Sequence, residues 1–222
     1  MQHLRWMAAA LAAVLAAEVA ARSSDDATAT HSFGDVTHWQ KVFDDPARDG
    51  WQRPAVVVAA LALAPGMAVA DVGAGTGYLE RALSEAVGPE GVVYAVEVEA
   101  ALVAHLRDRA EREGTANVVP VLASRDSPRL PRGRIDRILL LDTYHHIDGR
   151  VAYFRRLRAA LAPGGRVVIV DWEKRPDTIG PDLAHRLARE QVLDEMQRAG
   201  YRPLDISAAL PHQYVLVFAP QP

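Results

Sequence analysis

Eleven residues, Val69-Ala-Asp-Val-Gly-Ala-Gly-Thr-Gly-Tyr-Leu79, constrain this chain more than any other stretch. An apolar run closes on an acid, Asp71, and three glycines follow at alternate positions, Gly73, Gly75 and Gly77. An amphipathic segment begins directly after them. Glycine lets the backbone turn through positive φ and approach a ligand with no Cβ in between. A helix that starts beside such a turn aims its unpaired amides at the same ligand. The order therefore predicts a buried strand, a tight turn against a nucleotide-like cofactor, and a helix.

The flanks repeat the alternation. Helices are expected over residues 54–63, 76–87, 99–113, 150–161 and 182–199, several of them closed by glycine or by Gly-Pro. Strands are expected over 67–72, 91–97, 117–122, 135–141 and 166–171, with Pro163-Gly164-Gly165 as a turn before the last of these. Residues 135–141 end in an unbroken aliphatic run, Ile138 to Leu141, as in a strand buried on both faces of a parallel sheet. Two closing strands, 202–207 and 213–219, have five residues between them. A parallel pair needs a crossover of about a dozen residues or more, so these two must be antiparallel. The expected class is α/β: a Rossmann-like, doubly wound, mostly parallel seven-stranded sheet with an antiparallel last strand, and ligands at the carboxyl ends of its strands.

A dinucleotide fold calls for Gly-x-Gly-x-x-Gly, and Gly73, Gly75 and Gly77 depart from that spacing. Glu97, at the end of the second expected strand, is placed to accept both hydroxyls of a ribose. NAD and other adenosyl cofactors satisfy these two features alike.

Further motifs narrow the choice. Asp71-Val-Gly-Ala-Gly-Thr-Gly77, Val96-Glu97, Leu141-Asp-Thr-Tyr-His-His-Ile147 and Leu161-Ala-Pro-Gly-Gly-Arg-Val-Val-Ile-Val-Asp171 follow one another in order, ahead of the antiparallel end. From about Pro54 to its end the chain resembles the class I S-adenosylmethionine-dependent methyltransferases of the type 11-like kind. Val42-Phe-Asp-Asp-Pro-x-Arg-Asp-x-Trp-Gln-x-Pro54 and Leu210-Pro-x-Gln-Tyr-x-Leu-Val-Phe218 are similar to a subgroup of bacterial methyltransferases that often carry a signal sequence. The resemblance implies S-adenosyl-L-methionine as cofactor. It assigns Gly73, Ala74, Gly75 and Gly77 to the backbone cradle, Asp71 to the methionine amino group and Glu97 to the ribose. Asp126, after the third strand, is the expected adenine contact, although Arg125 intrudes before it. Asp142 is expected at the cofactor or the acceptor.

Methyl transfer from a sulfonium is an in-line displacement on an activated carbon, and alignment does most of the work. A protein base is needed only when the acceptor carries a proton. The candidates are His145 and His146, with Tyr144 as an acceptor-pocket residue, because the end of the fourth strand faces the methyl group in this family. The expected acceptor is a small molecule. Trp172-Glu173-Lys174 is expected on the acceptor side. A protein carboxyl methyltransferase of the isoaspartyl type shares the glycine pattern but usually carries a small, proline-rich segment where this chain has Tyr144-His-His146. A non-catalytic cofactor-binding protein is the third reading.

Composition removes other classes. The chain of 222 residues has no cysteine, which excludes disulfides, thiolate metal sites and cysteine nucleophiles. No acid cluster accompanies the histidine pair at ligand spacing, so no metal is expected. A net charge of −3 gives no electrostatic reason for a nucleic-acid partner. Arg5 followed by the Ala/Val/Leu run to Ala21 reads as a cleavable signal peptide, or as an Ala-rich apolar helix, and is too short for an ordinary membrane span. On the first reading the protein is periplasmic or secreted, on the second cytoplasmic. Residues 22–53 read as a polar linker and then an aromatic segment that either covers the pocket as a lid or lies on the surface. Residues 54–222 form the catalytic domain.

Overall fold

A computed structural model of the protein describes residues 33–207 and 210–222. The expected leader over residues 1–21, and the linker up to residue 32, lie outside the described residues. Three short helices lead in: α1 (Val36–Phe43), α2 (Arg48–Gln52) and α3 (Pro54–Ala60). Then β1 (Ala68–Val72), α4 (Glu80–Val87), β2 (Val92–Glu97), α5 (Ala100–Glu113) and β3 (Val118–Leu122) alternate. They are followed by β4 (Ile135–Leu141), a 3₁₀ turn (Tyr144–His146), α6 (Arg150–Leu157) and β5 (Leu161–Trp172). A second 3₁₀ turn (Leu183–His185), α7 (Arg189–Arg198), β6 (Tyr201–Ser207) and β7 (Gln213–Pro220) complete the chain.

The seven strands form one sheet in the order β3-β2-β1-β4-β5-β7-β6. β1 lies parallel to both β2 and β4, and β4 is parallel to β5. β7 runs antiparallel to both β5 and β6. The expected class is the observed one. The direction of winding reverses at β1 and β4, and ligand crevices open at the carboxyl ends of such strands. Ile138, Leu139 and Leu140 of β4 are wholly buried, with Ile138 and Leu140 in the core on one face and Leu139 in the core on the other. That is the double-sided burial that its aliphatic run predicts.

Several element boundaries differ from expectation, among them the ends of α3 at Ala60 and of α6 at Leu157. Residues 76–79 are turn, so α4 begins at Glu80 and not at the end of the glycines. β5 begins at Leu161 and takes Pro163-Gly164-Gly165 into the strand, with a register shift against β4 between Ile135 and Arg137. The segment 182–188, expected as the start of a helix, is extended and 3₁₀. Arg186 is the reason: its buried guanidinium donates to the carbonyls of Ile179 (2.6 Å), Pro181 (2.8 Å) and Arg175 (3.1 Å) and lies over the Trp172 ring. With a fourth, longer bond to the Glu173 carbonyl at 3.4 Å, these contacts hold the stretch as a packed loop. Among the described residues no helix is long and apolar enough to cross a membrane.

Candidate functional site

The carboxyl ends of β1, β2 and β4 open onto a cavity of about 680 Å³. Its floor is the glycine turn. Gly73 and Ala74 donate their amides to the Val96 carbonyl at 2.9 and 3.1 Å, which ties the turn to β2. Gly73 has φ +85°, and a Cβ there would stand 2.2 Å from Thr143 Oγ1. Glycine is therefore required twice over, by backbone angle and by space. Gly75 has φ +58°, but a Cβ there would meet the Phe43 ring only in ordinary contact at 3.4 Å, so the backbone angle alone favours glycine.

Glu97 closes the turn from the side. Its carboxylate accepts from the Gly75 amide at 3.0 Å and from Val98 and Glu99 at 2.6 and 3.1 Å. Burial raises its pKa, and the three amides pull against that rise. Asp71, at the end of β1, lines the cavity with Oδ1 buried and unpartnered. Burial pushes it up to about 7. A buried carboxylate oxygen without a donor fits an ammonium group, and the bare glycine backbone fits the chain that carries it.

Gly77 does more for packing than for the cavity. A Cβ on it would press on Leu106 Cδ2 at 3.0 Å and Arg109 Cδ at 3.1 Å, so it lets α5 close on the turn. It is not part of the cavity lining.

The opposite wall is the stretch after β4. Asp142 has φ +55°, a left-handed conformation that aspartate tolerates better than most residues. Its carboxylate accepts from Arg48 Nη2 at 3.2 Å and from the Gln213 amide. Burial raises Asp142 to about 6, against the pull of Arg48. His145 is almost fully buried yet contributes to the cavity wall. Its Nδ1 lies 2.8 Å from Asp171 Oδ1, and its backbone amide donates to Asp171 Oδ2 at 3.1 Å. A carboxylate only accepts, so the ring proton sits on Nδ1 and Nε2 carries the lone pair. Burial opposes the imidazolium, but the Asp171 charge and hydrogen bond outweigh it and raise the His145 pKa. His146 also lines the cavity, edge-on to Phe33 at 5.5 Å.

Two sequence candidates lie elsewhere. Tyr144 is wholly buried, donates to Glu195 Oε2 at 2.7 Å and packs 5.1 Å from the Phe154 ring. It belongs to the core beneath the site, because the 3₁₀ turn carries it to the face away from the cavity lined by its two neighbours. Asp126 is fully exposed, and its Oδ1 accepts from Ser124 Oγ at 2.7 Å. The tight Ser124–Ser127 bridge turns it outward, leaving Ala123, Ser124 and Arg125 on the lining.

The aromatic segment before the domain forms the outer wall. Phe33, Trp39 and Phe43 make one stack, with Trp39 and Phe43 ring centroids 5.0 Å apart. Polar links pin this segment to the domain, among them Asp44 to Thr76 (2.8 Å) and to Arg109 (3.1 Å), Asp49 to the Tyr78 hydroxyl (2.6 Å), Arg48 to Asp142, and Gln52 to Gln213 (2.6 Å). Beyond it, Trp51 and Trp172, both on the cavity lining, meet at 5.2 Å. Sequence reasoning assigned no role to Arg48, Asp171 or Gln213. Each nonetheless falls within a motif that carries the resemblance: Arg48 in Val42–Pro54, Asp171 at the end of Leu161–Asp171 and Gln213 in Leu210–Phe218. Among the described residues no group of histidines and acids is arranged to hold a metal ion.

The same architecture is known elsewhere. A family described as a methyltransferase domain matches residues 69–165. The crystal structure of a SAM-dependent methyltransferase from Aquifex aeolicus superposes with a TM-score of 0.78 at 26% identity, over 83% of this chain and 97% of that one. The chain carries a methyltransferase domain and has the fold of the class I S-adenosylmethionine-dependent methyltransferases. The cofactor of that family is S-adenosylmethionine. Among curated methyltransferases, the chain is 40% identical over 108 residues to a protein-L-isoaspartate O-methyltransferase of Aeropyrum pernix, covering 47% of this chain and 38% of that protein. It is 30% identical over 156 residues to the ubiquinone/menaquinone biosynthesis C-methyltransferase UbiE of Bordetella parapertussis, covering 67% of this chain and 58% of the relative. The chain thus spans less than two thirds of the length of either relative.

Proposed function

We propose that this chain transfers a methyl group from S-adenosylmethionine to a small-molecule acceptor. One observation carries the reading: the glycine turn, Asp71 and Glu97 share a single cavity with His145, His146 and Trp172. A donor at one end and an acceptor at the other would lie in one space. Its volume, about 680 Å³, falls within the range of about 300–1,000 Å³ usual for small-ligand sites. The aromatic N-terminal segment acts as a lid over it, held by its polar links.

When bound, the cofactor supplies a methyl group already activated on sulfur. Asp71 would hold the ammonium, the backbone of Gly73, Ala74 and Gly75 would lie along the methionine part, and Glu97 would orient the ribose while bracing the turn. His145 Nε2 would take the proton that an acceptor loses on methylation, and Asp171 would keep Nδ1–H in place. Proton removal of this kind contributes about 10²–10⁴-fold to a rate. Trp51 and Trp172 offer flat apolar surface to the acceptor.

Calorimetric titration with S-adenosylmethionine tests the first step, and transfer of a labelled methyl group to a panel of phenols, carboxylic acids and amines tests the second. Absence of any cofactor binding would falsify the reading. The isoaspartyl reading has one observation in its favour, the 40% identity to the Aeropyrum pernix enzyme over the cofactor half. Labelled methyl groups appearing on aged protein, and not on the small-molecule panel, would establish it instead. We also read residues 1–21 as an export leader, which the N-terminal sequence of the protein recovered from cells decides.

A further inference from the structure

One buried ionisable group takes no part in the chemistry above. Glu80, the first residue of α4, is only 4% exposed and lies outside the cavity lining. Its side chain is tucked under the last glycine of the turn, with Oε2 3.5 Å from where a Gly77 Cβ would stand. Its carboxyl group is within hydrogen-bonding reach of Asp71. Yet Glu80 Oε1, Glu80 Oε2 and Asp71 Oδ1 are all buried without a hydrogen-bond donor. Two ionised carboxylates have only acceptors to offer each other, so the contact becomes a bond only when one of them carries a proton.

The surrounding charges do not satisfy the pair by another route. Arg109, on α5, is committed to Glu113 at 2.7 Å, Thr76 O at 2.9 Å and Asp44 at 3.1 Å. Arg48, on α2, is committed to Asp142, to Gln52 and to the Phe43 carbonyl. Glu97, on β2, adds a further negative charge facing Asp71.

We propose that Glu80 is held as the neutral acid and donates a hydrogen bond to Asp71, so that Asp71 meets the cofactor's ammonium group as a carboxylate. Glu80 is then a positioning residue acting through Asp71, and the inference rests on the cofactor reading given above. Burial and the adjacent Asp71 charge push Glu80 well above the usual carboxylate range, against the opposing pull of Arg109 and of the amides at its own helix end. Burial likewise raises Asp71, while donation from Glu80 and the charge of Arg48 bring it down and Glu97 pushes it up. The proton belongs on Glu80 because an ammonium group beside Asp71 favours the ionised form of that residue alone. An ammonium ligand also drives any remaining proton off Asp71, so affinity falls as pH drops below neutrality, by up to about tenfold per unit.

The test uses S-adenosylhomocysteine, which carries the same amino acid end, titrated calorimetrically into the full chain between about pH 5.5 and 8.5 in buffers of differing ionisation heat. Glu80→Gln keeps a neutral donor and is expected to bind within about twofold of wild type across the range. Glu80→Leu keeps the bulk but removes the donor. It is expected to lose about tenfold in affinity at pH 7 and to shift the pH midpoint upward by about one unit. Wild-type affinity and pH dependence in Glu80→Leu would overturn the proposal. So would tighter binding by Glu80→Gln at acid pH, since that marks Glu80 as ionised in the wild type. Should Glu80→Leu fail to fold, the Glu80→Gln comparison decides, together with a ¹³C carboxyl titration of Glu80 in the free protein. A wild-type protein that binds no S-adenosylhomocysteine at all would instead overturn the cofactor reading beneath it.

Discussion

Arg48 Nη2 stands 3.2 Å from Asp142 Oδ2, joining the helical segment ahead of the domain to the end of β4. The same guanidinium lies 4.1 Å from the Tyr78 ring centroid, over the residue that follows the glycine turn. One side chain therefore spans the glycine-turn wall of the cavity and the wall that follows β4. Arg48→Met should leave Asp142 buried with Gln213 as its remaining side-chain partner and cost about 1–2 kcal/mol at neutral pH, less than a fully buried pair because both partners keep some exposure. The sign of the pH dependence follows from Asp142, whose folded pKa is already raised to about 6. Losing Arg48 raises it further, so the penalty is largest where Asp142 must ionise and shrinks as pH falls below that value. Urea unfolding of both proteins at acid and at mildly alkaline pH measures the difference. Cofactor affinity should fall as well, by about tenfold, because the outer wall loosens.

Gly73 offers a sharper probe of the floor. An alanine there must adopt φ +85° and place its Cβ 2.2 Å from Thr143 Oγ1. Strain of this kind costs about 1–3 kcal/mol, and the displaced turn should lose measurable affinity for S-adenosylmethionine. Gly73→Ala combined with Thr143→Gly removes the contact but not the backbone strain, so it should recover only part of the stability. Thermal unfolding of the two variants separates the two causes. Full recovery in the double variant would show that crowding alone fixes the glycine.

The divide between what could and could not be read in advance runs between local and long-range chemistry. The glycine turn, Glu97 and the antiparallel end were legible because turn geometry, strand-end position and loop length act over a few residues. Arg48, Asp171 and Gln213 were not, since the contacts they make span 94, 26 and 71 positions and leave no periodic trace. The helix expected from residue 182 failed for the same reason. Arg186 looks like an ordinary helical arginine until the carbonyls of residues 173–181 converge on it. Asp126 and Tyr144 were misplaced through one-residue geometry, where a tight turn decides which of several adjacent side chains faces the cavity.

Tyr144 provides a control for that geometry. Its hydroxyl donates to Glu195 Oε2, which also accepts from Arg150 Nε at 2.7 Å. Tyr144→Phe removes one donor while Glu195 keeps its guanidinium partner, so stability should fall by about 0.5–1.5 kcal/mol. Methyl transfer should be unchanged within about twofold, because the ring faces the core and not the cavity. Denaturant unfolding and a turnover assay on the same preparation check both halves. A loss of turnover of a hundredfold or so with stability intact would return Tyr144 to the active site.

Asp171 should govern the pH at which His145 works. In the folded protein the Asp171 carboxylate raises the imidazole pKa above its ordinary 6.5. His145 is charged below that raised value and neutral above it, so a reaction that uses Nε2 as base should gain rate as pH rises through it. Asp171→Asn removes the charge but keeps the shape. Burial then dominates, the pKa falls below 6.5, and the acid limb of the rate profile should move to lower pH. Meanwhile the maximal rate should drop by about 10²–10⁴-fold, because an amide can hold the wrong ring tautomer. The stability sign is fixed by the same shift. A histidine with a raised folded pKa stabilises the fold fully below its unfolded value and loses that contribution as pH climbs through the folded one. Wild type should therefore gain stability over Asp171→Asn on the acid side of 6.5 and lose that part of the advantage above the folded pKa. An ¹H–¹⁵N titration of the His145 ring in both proteins reads the pKa and the tautomer directly, without any acceptor present. Equal ring pKa values in the two proteins would remove Asp171 from the mechanism.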